Sequence, residues 1–581
     1  MADSTPELII DIRDVSFQYP LGTEPSIKHI NLQVRPGEYL VITGPTGSGK
    51  TTLALTLNGI IPHLFEGELA GEVIVDGMRT ADHPVHELTS SIGMVFQNPE
   101  DQLFSLNVTD EVAFGVENMG YAHDEIISRV DQAIEKVGLV NRRDYSIFHL
   151  SGGQKQKVAI ASNLAISPKV LVLDSPTADL DPISSREVVT TLVDLRKKEP
   201  SKTFIVIDSD ISDVITLADR IVVMSEGTIV MDGAPVELLR NHFDELDALG
   251  IRMPDHVRLM HWLFKQFPDV TDFPLEEEGV HQILAGLTKA GRLGFKEPAQ
   301  LKAGAERTDV VRFDNVSFKY PNGPVILENT SLAVKSGEWL AIIGENGTGK
   351  STLLKLICGL IKPQSGAVET AGVNTSTGNF EEVLANVGYL FQNPDNQLFM
   401  STVEDEIGFG PRRRNCSPEE TEERINEALD LMKLQENRKN HPFTLSRGQR
   451  QRLAVATVLA ARPRLLLLDE PTTGQDQIAL DNLMSLTQSL IDKDAASVVM
   501  VTHDMDLVAQ HATRVIVLDK GKILLDGTPM EVFAHEQDIL AKVSLKPPCI
   551  VTLTSNLNGH DTCRKCFEDL VQTVQVRQGA G

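Results

Sequence analysis

The chain reads Gly44-Pro45-Thr46-Gly47-Ser48-Gly49-Lys50-Thr51 near its start, and the pattern returns 300 residues later as Gly344-Glu345-Asn346-Gly347-Thr348-Gly349-Lys350-Ser351. An apolar stretch, residues 39–42, leads into the first loop, and a helical pattern follows it. Glycines allow tight backbone turns, so successive N–H groups and the helix N-terminus can face phosphate oxygens. Two such loops in register predict two nucleotide-binding sites.

The last residues of each loop carry the side chains that this chemistry needs. Lys50 and Lys350 are expected to reach the β- and γ-phosphates of ATP, and the hydroxyl groups of Thr51 and Ser351 are expected to ligate Mg²⁺. We therefore predict ATP and Mg²⁺ as the ligands of both loops. The predicted ATP-binding residues are all the loop positions quoted above and the threonine that follows each loop, Thr52 and Thr352.

An acidic residue closes an apolar strand in each half. Asp174 follows apolar residues 170–173, and Asp469 follows apolar residues 465–468. Because the carboxyl ends of parallel strands meet at one sheet edge, both aspartates are expected to hold Mg²⁺, directly or through water. Glu470 comes next and is placed to accept a proton from attacking water. The first half has Ser175 there, which cannot accept that proton at neutral pH.

Further blocks of the first half return in the second half in the same order, at offsets of 294 to 301. Apolar β-rich stretches alternate with helical ones, which is typical of an α/β fold with a largely parallel sheet and helices on its faces. The predicted fold is therefore two tandem P-loop domains of the α/β class. We place these domains at residues 1–240 and 306–535, each followed by a small helical appendage, at residues 241–305 and 536–581.

Composition limits the partners and the compartment. A net charge of −27 disfavours attraction to nucleic acid, so we predict no nucleic-acid partner. No apolar run approaches the roughly 18 to 20 residues that a membrane helix needs, and the first residues do not resemble a signal peptide. The five cysteines are too scattered for a disulfide scaffold. A zinc set of Cys549, His560, Cys563 and Cys566 is a less favoured interpretation, because the first half repeats this segment without cysteine.

A short motif lies 24 residues before each strand-end aspartate. It reads Leu150-Ser151-Gly152-Gly153-Gln154 in the first half and Leu445-Ser446-Arg447-Gly448-Gln449 in the second. With these motifs, both halves resemble the nucleotide-binding domains of ATP-binding cassette (ABC) transporters over nearly their full length. The resemblance implies that each cassette also has an antiparallel β subdomain and a helical subdomain. It further implies that the two cassettes pair head to tail within one chain, with each ATP held between one phosphate loop and the signature motif of the other cassette.

The resemblance also implies roles for individual residues outside the phosphate loops. Tyr19 and Tyr320 match the aromatic residue that stacks on adenine in this family. Gln97 and Gln392 match the glutamine that senses the metal and the attacking water, and His503 matches the histidine that contacts the γ-phosphate. Asp181 and Asp476 fall in the loops that link the two sites. The predicted catalytic set is therefore Glu470, His503 and Gln392.

The departures from the family pattern gather on one of the two implied composite sites. The site built on Lys50 and Asp174 has Ser175 and Ser209 in place of the glutamate and the histidine, and it receives the altered signature Ser446-Arg447-Gly448. The site built on Lys350 and Asp469 keeps both catalytic residues and receives the intact Ser151-Gly152-Gly153. We predict that the first site binds ATP with little turnover and that the second site hydrolyses it.

A second block narrows the resemblance to one type of transporter. Residues 96–104 and 391–399 share a Gln-Asn-Pro-acidic-x-Gln-Leu-Phe pattern. This block resembles the ATPases of energy-coupling-factor importers, which carry vitamins or transition-metal ions such as cobalt or nickel. In that family the segment after the glutamine receives the coupling helices of a transmembrane partner. The resemblance therefore implies T-type coupling and S-type substrate-binding subunits as partners, and a peripheral location at the cytoplasmic side of the cell membrane.

Two other classes of protein stay open at this stage. Soluble twin-cassette ATPases that act on ribosomes or nucleic acid have the same duplicated motifs, although they often carry basic extensions and a long charged linker. A nonhydrolytic ATP-dependent scaffold would also fit if Glu470 were idle. The acidic composition and the Gln-Asn-Pro blocks favour the transporter, and the cargo is not encoded in this chain.

Overall fold

The computed structural model describes residues 8–20, 22, 24–178, 180–295, 307–321, 323–445, 447–472, 477–543, 545–555, 557 and 566–576. The chain divides into two compact units, residues 1–276 and 277–581. Each unit has its own core of buried apolar side chains. The α/β class predicted from the sequence is confirmed, whereas the domain boundaries at residues 240, 305 and 535 stay a prediction.

The first unit contains two sheets. Its strands are β1 (Ile10–Gln18), β2 (Ile27–Val34), β3 (Tyr39–Thr43), β4 (Glu68–Val75), β5 (Met78–Arg79), β6 (Ile92–Val95), β7 (Val170–Asp174), β8 (Thr203–Ile207), β9 (Arg220–Ser225) and β10 (Thr228–Gly233). The larger sheet has the order β10-β9-β3-β8-β7-β6, in which only β10 runs antiparallel to its neighbour. The smaller sheet is antiparallel, with the order β2-β1-β4-β5.

Helices cover the larger sheet and build a separate helical layer in the first unit. They are α1 (Lys50–Leu57), α2 (Ile60–His63), α3 (Val85–Leu88), α4 (Val108–Asn118), α5 (His123–Lys136), α6 (Gly152–Ile166), α7 (Pro182–Lys198), α8 (Pro235–Asn241), α9 (Phe243–Ala248) and α10 (Asp255–Gln266). Polar side chains fix where several of them begin: Asn107 caps α4, Ser151 caps α6 and Asp181 caps α7.

The second unit begins with α11 (Glu277–Lys289) and β11 (Leu293–Phe295) and then repeats the same plan. Its further strands are β12 (Asp309–Lys319), β13 (Val325–Lys335), β14 (Trp339–Ile343), β15 (Ser365–Thr370), β16 (Val373–Asn374), β17 (Val387–Leu390), β18 (Leu465–Asp469), β19 (Ser497–Val501), β20 (Arg514–Asp519), β21 (Lys522–Gly527) and β22 (Val574–Val576). Its sheet orders, β17-β18-β19-β14-β20-β21 and β13-β12-β15-β16, match those of the first unit.

The helices of the second unit also follow those of the first. They are α12 (Lys350–Ile357), α13 (Phe380–Asn386), α14 (Val403–Arg413), α15 (Pro418–Leu431), α16 (Arg447–Ala460), α17 (Gln477–Asp494), α18 (Met505–His511), α19 (Gln537–Lys542), α20 (Cys549–Ser555) and α21 (Phe567–Thr573). In addition, β11 pairs with β22 in a two-stranded antiparallel sheet, so residues 293–295 complete the C-terminal part of this unit.

The central strands of both larger sheets are buried on both faces. Every residue of β3, β7 and β8 is buried, and the same holds for β14, β18 and β19. Apart from polar residues at their ends, these strands are apolar, as expected where helices cover both faces of a parallel sheet. Their carboxyl ends therefore carry the polar residues to one edge, where the phosphate loops begin.

Candidate nucleotide-binding sites

The phosphate loops connect the end of a central strand to a helix in both units. Gly49 and Gly349, at the N-termini of α1 and α12, adopt left-handed backbone conformations with φ of 96° and 106°. A Cβ atom on Gly44 would lie 2.0 Å from the Met224 carbonyl oxygen, and one on Gly344 would lie 2.2 Å from that of Leu518. Only glycine fits these positions, so each loop can curl into a cradle of backbone N–H groups in front of the helix.

The loop lysines lie across their own loops in the same way. Lys50 Nζ donates to the Gly44 carbonyl at 2.7 Å and to the Pro45 carbonyl at 2.9 Å. Lys350 Nζ donates to the equivalent carbonyls of Gly344 and Glu345 at 2.7 and 2.9 Å. Both ammonium groups thus lie at the centre of a loop built for phosphate, where they can neutralise its charge.

A hydroxyl and a carboxylate come together beneath each loop. Thr51 Oγ1 donates to Asp174 Oδ2 at 2.9 Å, and Ser351 Oγ donates to Asp469 Oδ1 at 3.0 Å. Burial raises the pKa of both carboxyl groups, although the hydroxyl hydrogen bonds oppose this shift. Paired hydroxyl and carboxylate oxygens are the donors that Mg²⁺ prefers, so these residues fit the predicted metal.

Tyr389 is a residue of the second site that the sequence analysis missed. Its hydroxyl group donates to Asp469 Oδ2 at 2.9 Å, and burial together with the neighbouring carboxylate raises the pKa of the tyrosine. Met94 occupies the matching place in β6 of the first unit. A tyrosine in an otherwise apolar strand was the signal that could have identified it.

The predicted adenine-stacking tyrosines lie beside the helices that follow the loops. The hydroxyl oxygen of Tyr19 lies 3.3 Å from Thr52 Oγ1, and its ring meets Phe17 edge to face with centroids 4.8 Å apart. Tyr320 repeats both contacts, at 3.4 Å from Thr352 Oγ1 and 4.9 Å from the ring of Phe318. The two rings are therefore fixed at matching positions next to the phosphate loops.

The predicted catalytic pair is assembled at the second loop. His503 Nε2 lies 3.0 Å from Glu470 Oε1, and the His503 backbone N–H donates to Glu470 Oε2 at 3.2 Å. His503 Nε2 also lies 3.0 Å from Asn346 Oδ1, which makes Asn346 a contact between the loop and the histidine. Glu470 is held at the sheet edge by a hydrogen bond from its backbone N–H to the Val501 carbonyl, at 2.9 Å.

At the equivalent strand end, the first unit keeps the backbone conformation but has no glutamate and no histidine. Ser175 has a φ of 46°, close to the 50° of Glu470, and its N–H donates to the Ile207 carbonyl at 2.7 Å. Its side chain carries no carboxylate, and Ser209 takes the place of the histidine. The geometry of the strand end is therefore retained, whereas the groups for proton transfer are not.

Asp208 is a further difference that the sequence analysis did not assign. Its Oδ1 atom accepts a hydrogen bond from the Asp210 N–H at 3.1 Å, and Thr502 Oγ1 accepts the equivalent bond from the Asp504 N–H at 3.1 Å. Burial, with a smaller contribution from Asp210, raises the pKa of Asp208 to about 8. The first site thus holds an extra buried carboxyl group where the second holds a hydroxyl group.

The segment after Asp208 is joined to the appendage of the first unit. The Arg252 N–H donates to the Ser209 carbonyl, and the Ile211 N–H donates to the Arg252 carbonyl, both at 3.3 Å. Arg252 Nε also lies 3.5 Å from Asp210 Oδ2. In the second unit the matching segment continues as helix α18, which begins after Asp504. The switch segment, residues 208–211, is therefore tied to the appendage.

The Gln-Asn-Pro blocks form short helical turns, and the asparagine side chain caps each turn. Asn98 and Asn393 accept hydrogen bonds from the second residue after them, at 3.1 and 3.0 Å. Gln97 is half-buried and Gln392 is exposed, and neither side chain has a hydrogen bond to another residue that the structure describes. The role of both glutamines at the site therefore stays a prediction.

The signature motif begins a helix in both units. Ser151 Oγ accepts from the Gln154 N–H at 3.3 Å, and Gln154 Oε1 accepts from the Ser151 N–H at 3.2 Å. Gly153 is required there because a Cβ atom would lie 2.6 Å from Ser184 Cβ. In the second unit α16 begins at Arg447, Gly448 is buried, and Gln449 Nε2 lies 3.5 Å from Asn437 Oδ1.

Some predicted residues lie outside the described part of the chain. They are Ser446, Asp476, His560 and Cys563. Asp181 is described and caps α7, where its carboxylate accepts from the Ile183 and Ser184 N–H groups at 3.0 Å.

Among the described helices, none is both long and apolar enough to cross a membrane.

Comparisons with known proteins agree on one family. A family model described as "ABC transporter" matches residues 27–178 and 327–473. A candidate ABC transporter ATP-binding protein of Methanosarcina mazei is 39% identical over 564 residues, which cover 96% of this chain and 95% of the relative. A similarly named protein of Caldanaerobacter subterraneus subsp. tengcongensis is also 39% identical, with 96% and 97% covered. The solved cbiO1 of Clostridium perfringens, part of the ABC transporter complex cbiONQ, is 33% identical, covers 45% of this chain and 97% of its own, and gives a TM-score of 0.38.

Proposed function

The chain belongs to the ABC transporter family of ATP-binding proteins and is an ATPase with two cassettes, and from that premise we propose that it is the energy-coupling subunit of an energy-coupling-factor importer. The cargo class is a vitamin or a transition-metal ion. Transmembrane subunits of the T and S types are its partners, and it acts as a peripheral protein on the cytoplasmic side of the cell membrane. The Gln-Asn-Pro blocks support this type of importer.

The observation that carries the proposal is a pair of exposed aromatic rings beside each Gln-Asn-Pro turn. Phe104 and Phe114 are 63% and 46% exposed, and their ring centroids lie 4.5 Å apart. Phe399 and Phe409, 62% and 38% exposed, repeat the pair at 5.0 Å. Exposed aromatic clusters are typical of interaction surfaces, because they leave water when a partner docks. Such a pair in each cassette suits two coupling helices of a membrane partner.

One acidic residue of each turn forms an ion pair within its own cassette. Glu100 forms an ion pair with Lys155, and Asp395 Oδ1 lies 2.6 Å from Arg450 Nε. Each ion pair links a Gln-Asn-Pro turn to the helix that follows the signature motif. We propose that the aromatic rings bind the partner and that these ion pairs transmit its position to the signature helix.

The two cassettes are proposed to divide the work. Lys50, Thr51, Asp174 and Tyr19 would hold Mg²⁺ and ATP at the first cassette, whose residues Ser175 and Ser209 supply no base. Lys350, Ser351, Asp469 and Tyr320 would hold them at the second, and Mg²⁺ would there balance the phosphate charge. Glu470 would accept the proton of the attacking water while His503 contacts the γ-phosphate. Gln97 and Gln392 are proposed to approach the metal after ATP binds.

Purification from native membranes tests the partner class. The tagged full-length chain should copurify with integral membrane proteins in mild detergent, whereas ribosomal proteins or nucleic acid in their place would support the soluble alternative.

Nucleotide analysis of the same complex tests the division of work between the two cassettes. After incubation with ATP and removal of free nucleotide, the chain should retain one intact ATP, and retention of ADP alone would contradict the proposal.

A further inference from the structure

Two glycines of the first cassette have structural counterparts in the second. The stretch between them is five residues longer in the first cassette. Gly59 and Gly359 lie 300 residues apart, and both follow the helix of the phosphate loop with φ near 75°. Gly71 and Gly366 lie only 295 residues apart, and both pack a bare Cα against two carbonyl oxygens of the first strand. The extra residues must therefore fall between these landmarks in the first unit.

The additional residues extend a strand towards Tyr19. In the first unit the β1–β4 pairing continues past Ser16–Ala70 through Phe17–Leu69 to Gln18–Glu68. The matching β12–β15 pairing ends at Ser317–Ser365, which is the equivalent of Ser16–Ala70. The residues just before β4 are thereby brought to the end of β1, next to the tyrosine that is predicted to stack on adenine.

Close packing fixes the additional segment at this place. A Cβ atom on Gly67 would lie 2.4 Å from the Gln18 carbonyl oxygen and 2.5 Å from the ring of Phe17. No side chain fits there, so the backbone of the segment lies directly on the end of β1, the strand that Tyr19 follows. Phe65, two residues earlier, then extends beside Tyr19, with ring centroids 6.4 Å apart and an interplanar angle of 86°.

Among the described residues, a second ring lies beside the predicted adenine-stacking tyrosine only in the first cassette. Phe65 is 47% exposed, and its neighbour Leu64 is 71% exposed. In the second cassette the corresponding residues 361–365 read Ile-Lys-Pro-Gln-Ser and contain no aromatic side chain. Among the residues that the structure describes, Phe318 is the only ring in contact with Tyr320. The two predicted adenine positions therefore differ in the number of aromatic side chains that line them.

We propose that Phe65 and Tyr19 form two walls of a base cleft that is specific to the first cassette. This inference rests on the proposed binding of ATP by that cassette. The half-exposed ring of Phe65 contacts the purine that stacks on Tyr19, so the base loses more water there than at Tyr320. The ligand class is a nucleotide with a flat aromatic base, and the consequence is slow release of ATP from the site that lacks a catalytic base.

Dissociation of ATP from the full-length chain tests the role of Phe65. Glu470→Gln is used as the background so that hydrolysis does not remove the ligand, and release of labelled ATP is followed after a chase. Phe65→Ala should accelerate the slow phase about tenfold, since an aromatic contact with a base contributes on that order. Phe65→Tyr should restore slow release, and Leu64→Ala, which removes the neighbouring exposed side chain, should leave it unchanged.

Inorganic tripolyphosphate separates base recognition from a general loss of structure. Phe65→Ala should leave the affinity for tripolyphosphate and the thermal midpoint unchanged, because neither involves the base. Equal weakening of ATP and tripolyphosphate, or an equal effect of Leu64→Ala, would overturn the proposal. Tyr19→Ala distinguishes a failure of the role proposed for Phe65 from a failure of the proposed first ATP site. If it weakens ATP binding while Phe65→Ala does not, only the role of Phe65 is wrong, and if neither does, the proposed first site itself is wrong.

Discussion

At the scale of single residues, the two cassettes differ at the ends of β7 and β8 and of the matching strands β18 and β19. The second cassette combines Glu470, His503 and Asn346 in one contact network. The first keeps the backbone geometry at Ser175 but lacks the glutamate and histidine side chains, and Asp208 adds a buried carboxyl group. A carboxyl group in this place is unfavourable when ionised, because burial removes its hydration.

The raised pKa of Asp208 predicts how stability depends on pH. In the unfolded chain this carboxyl ionises above about pH 4, whereas in the folded chain it keeps its proton up to about pH 8. Folding therefore takes up a proton in this window, and the stability of the nucleotide-free protein falls as the pH rises through it. Asp208→Thr, which supplies the hydroxyl of Thr502, should raise the thermal midpoint by roughly 2 °C or more at pH 8 and by less at about pH 5. Equal shifts at the two pH values would contradict this account.

Single residues also show what the sequence could predict. The loop glycines, the lysines and the strand-end aspartates belong to local patterns, and the fold brings Thr51 and Asp174 together as those patterns predict. The contact between Asn346 and His503 joins residues 157 positions apart. Tyr389 likewise meets Asp469 only because β17 and β18 are neighbours in the sheet. No spacing rule in the sequence encodes either contact.

At the scale of elements, the asymmetry lies in how the switch segment is supported. In the second unit, the Asp504 side chain accepts from the Leu507 N–H at 3.0 Å and begins helix α18. In the first unit the chain turns after Asp210 and bonds to Arg252 of the appendage. The appendage therefore restrains the segment that carries Ser209, and this restraint is consistent with the proposed retention of ATP at the first site.

Hydrogen exchange can measure that restraint. Arg252→Ala removes the ion pair to Asp210 and should accelerate amide exchange in residues 209–213 about twofold to fivefold, because the pair is partly exposed and contributes little energy. The matching change in the second half, Lys546→Ala, should leave amide exchange in residues 209–213 unchanged. If Arg252→Ala altered exchange throughout the first unit, its role would be general stabilisation rather than support of the switch segment.

Elements that lack a strong pattern could not be predicted. Helical appendages were predicted at residues 241–305 and 536–581, and helices α10 and α21 lie within these ranges. The pairing of β11 with β22 involves only three residues on each strand. Three residues are too few for an alternation of apolar and polar side chains to stand out from chance, so no pattern indicated that residues 293–295 complete the second unit.

At the scale of the whole molecule, the chain is acidic and carries one pair of exposed aromatic rings at matching places in each cassette. A net charge of −27 opposes nonspecific adhesion to nucleic acid and to anionic lipid. The proposed attachment to a membrane therefore requires docking to a partner, and the ring pairs Phe104–Phe114 and Phe399–Phe409 are the surfaces proposed for it. The duplicated motifs predicted two such surfaces, whereas the exposure of the rings required the structure.

Replacing one ring of each pair by a charged residue tests whether these rings bind the membrane partner. Phe104→Asp and Phe399→Asp, alone and together, should reduce recovery of the membrane partner, since a carboxylate cannot be buried in an apolar contact without a large cost. Val230→Asp is a suitable control because Val230 is also exposed, at 47%, and lies on β10 away from the turns. Unchanged recovery with the double variant would show that the partner docks elsewhere.

The central claim is that one cassette hydrolyses ATP while the other holds it. The most direct measurement is steady-state ATP hydrolysis by the full-length protein with its membrane partner, comparing Glu470→Gln with Ser175→Ala. Because a positioned base contributes about 100-fold or more to such reactions, Glu470→Gln should abolish nearly all turnover, and Ser175→Ala should leave it close to that of the unmodified protein. Substantial hydrolysis by Glu470→Gln, or an equal loss in Ser175→Ala, would contradict the account.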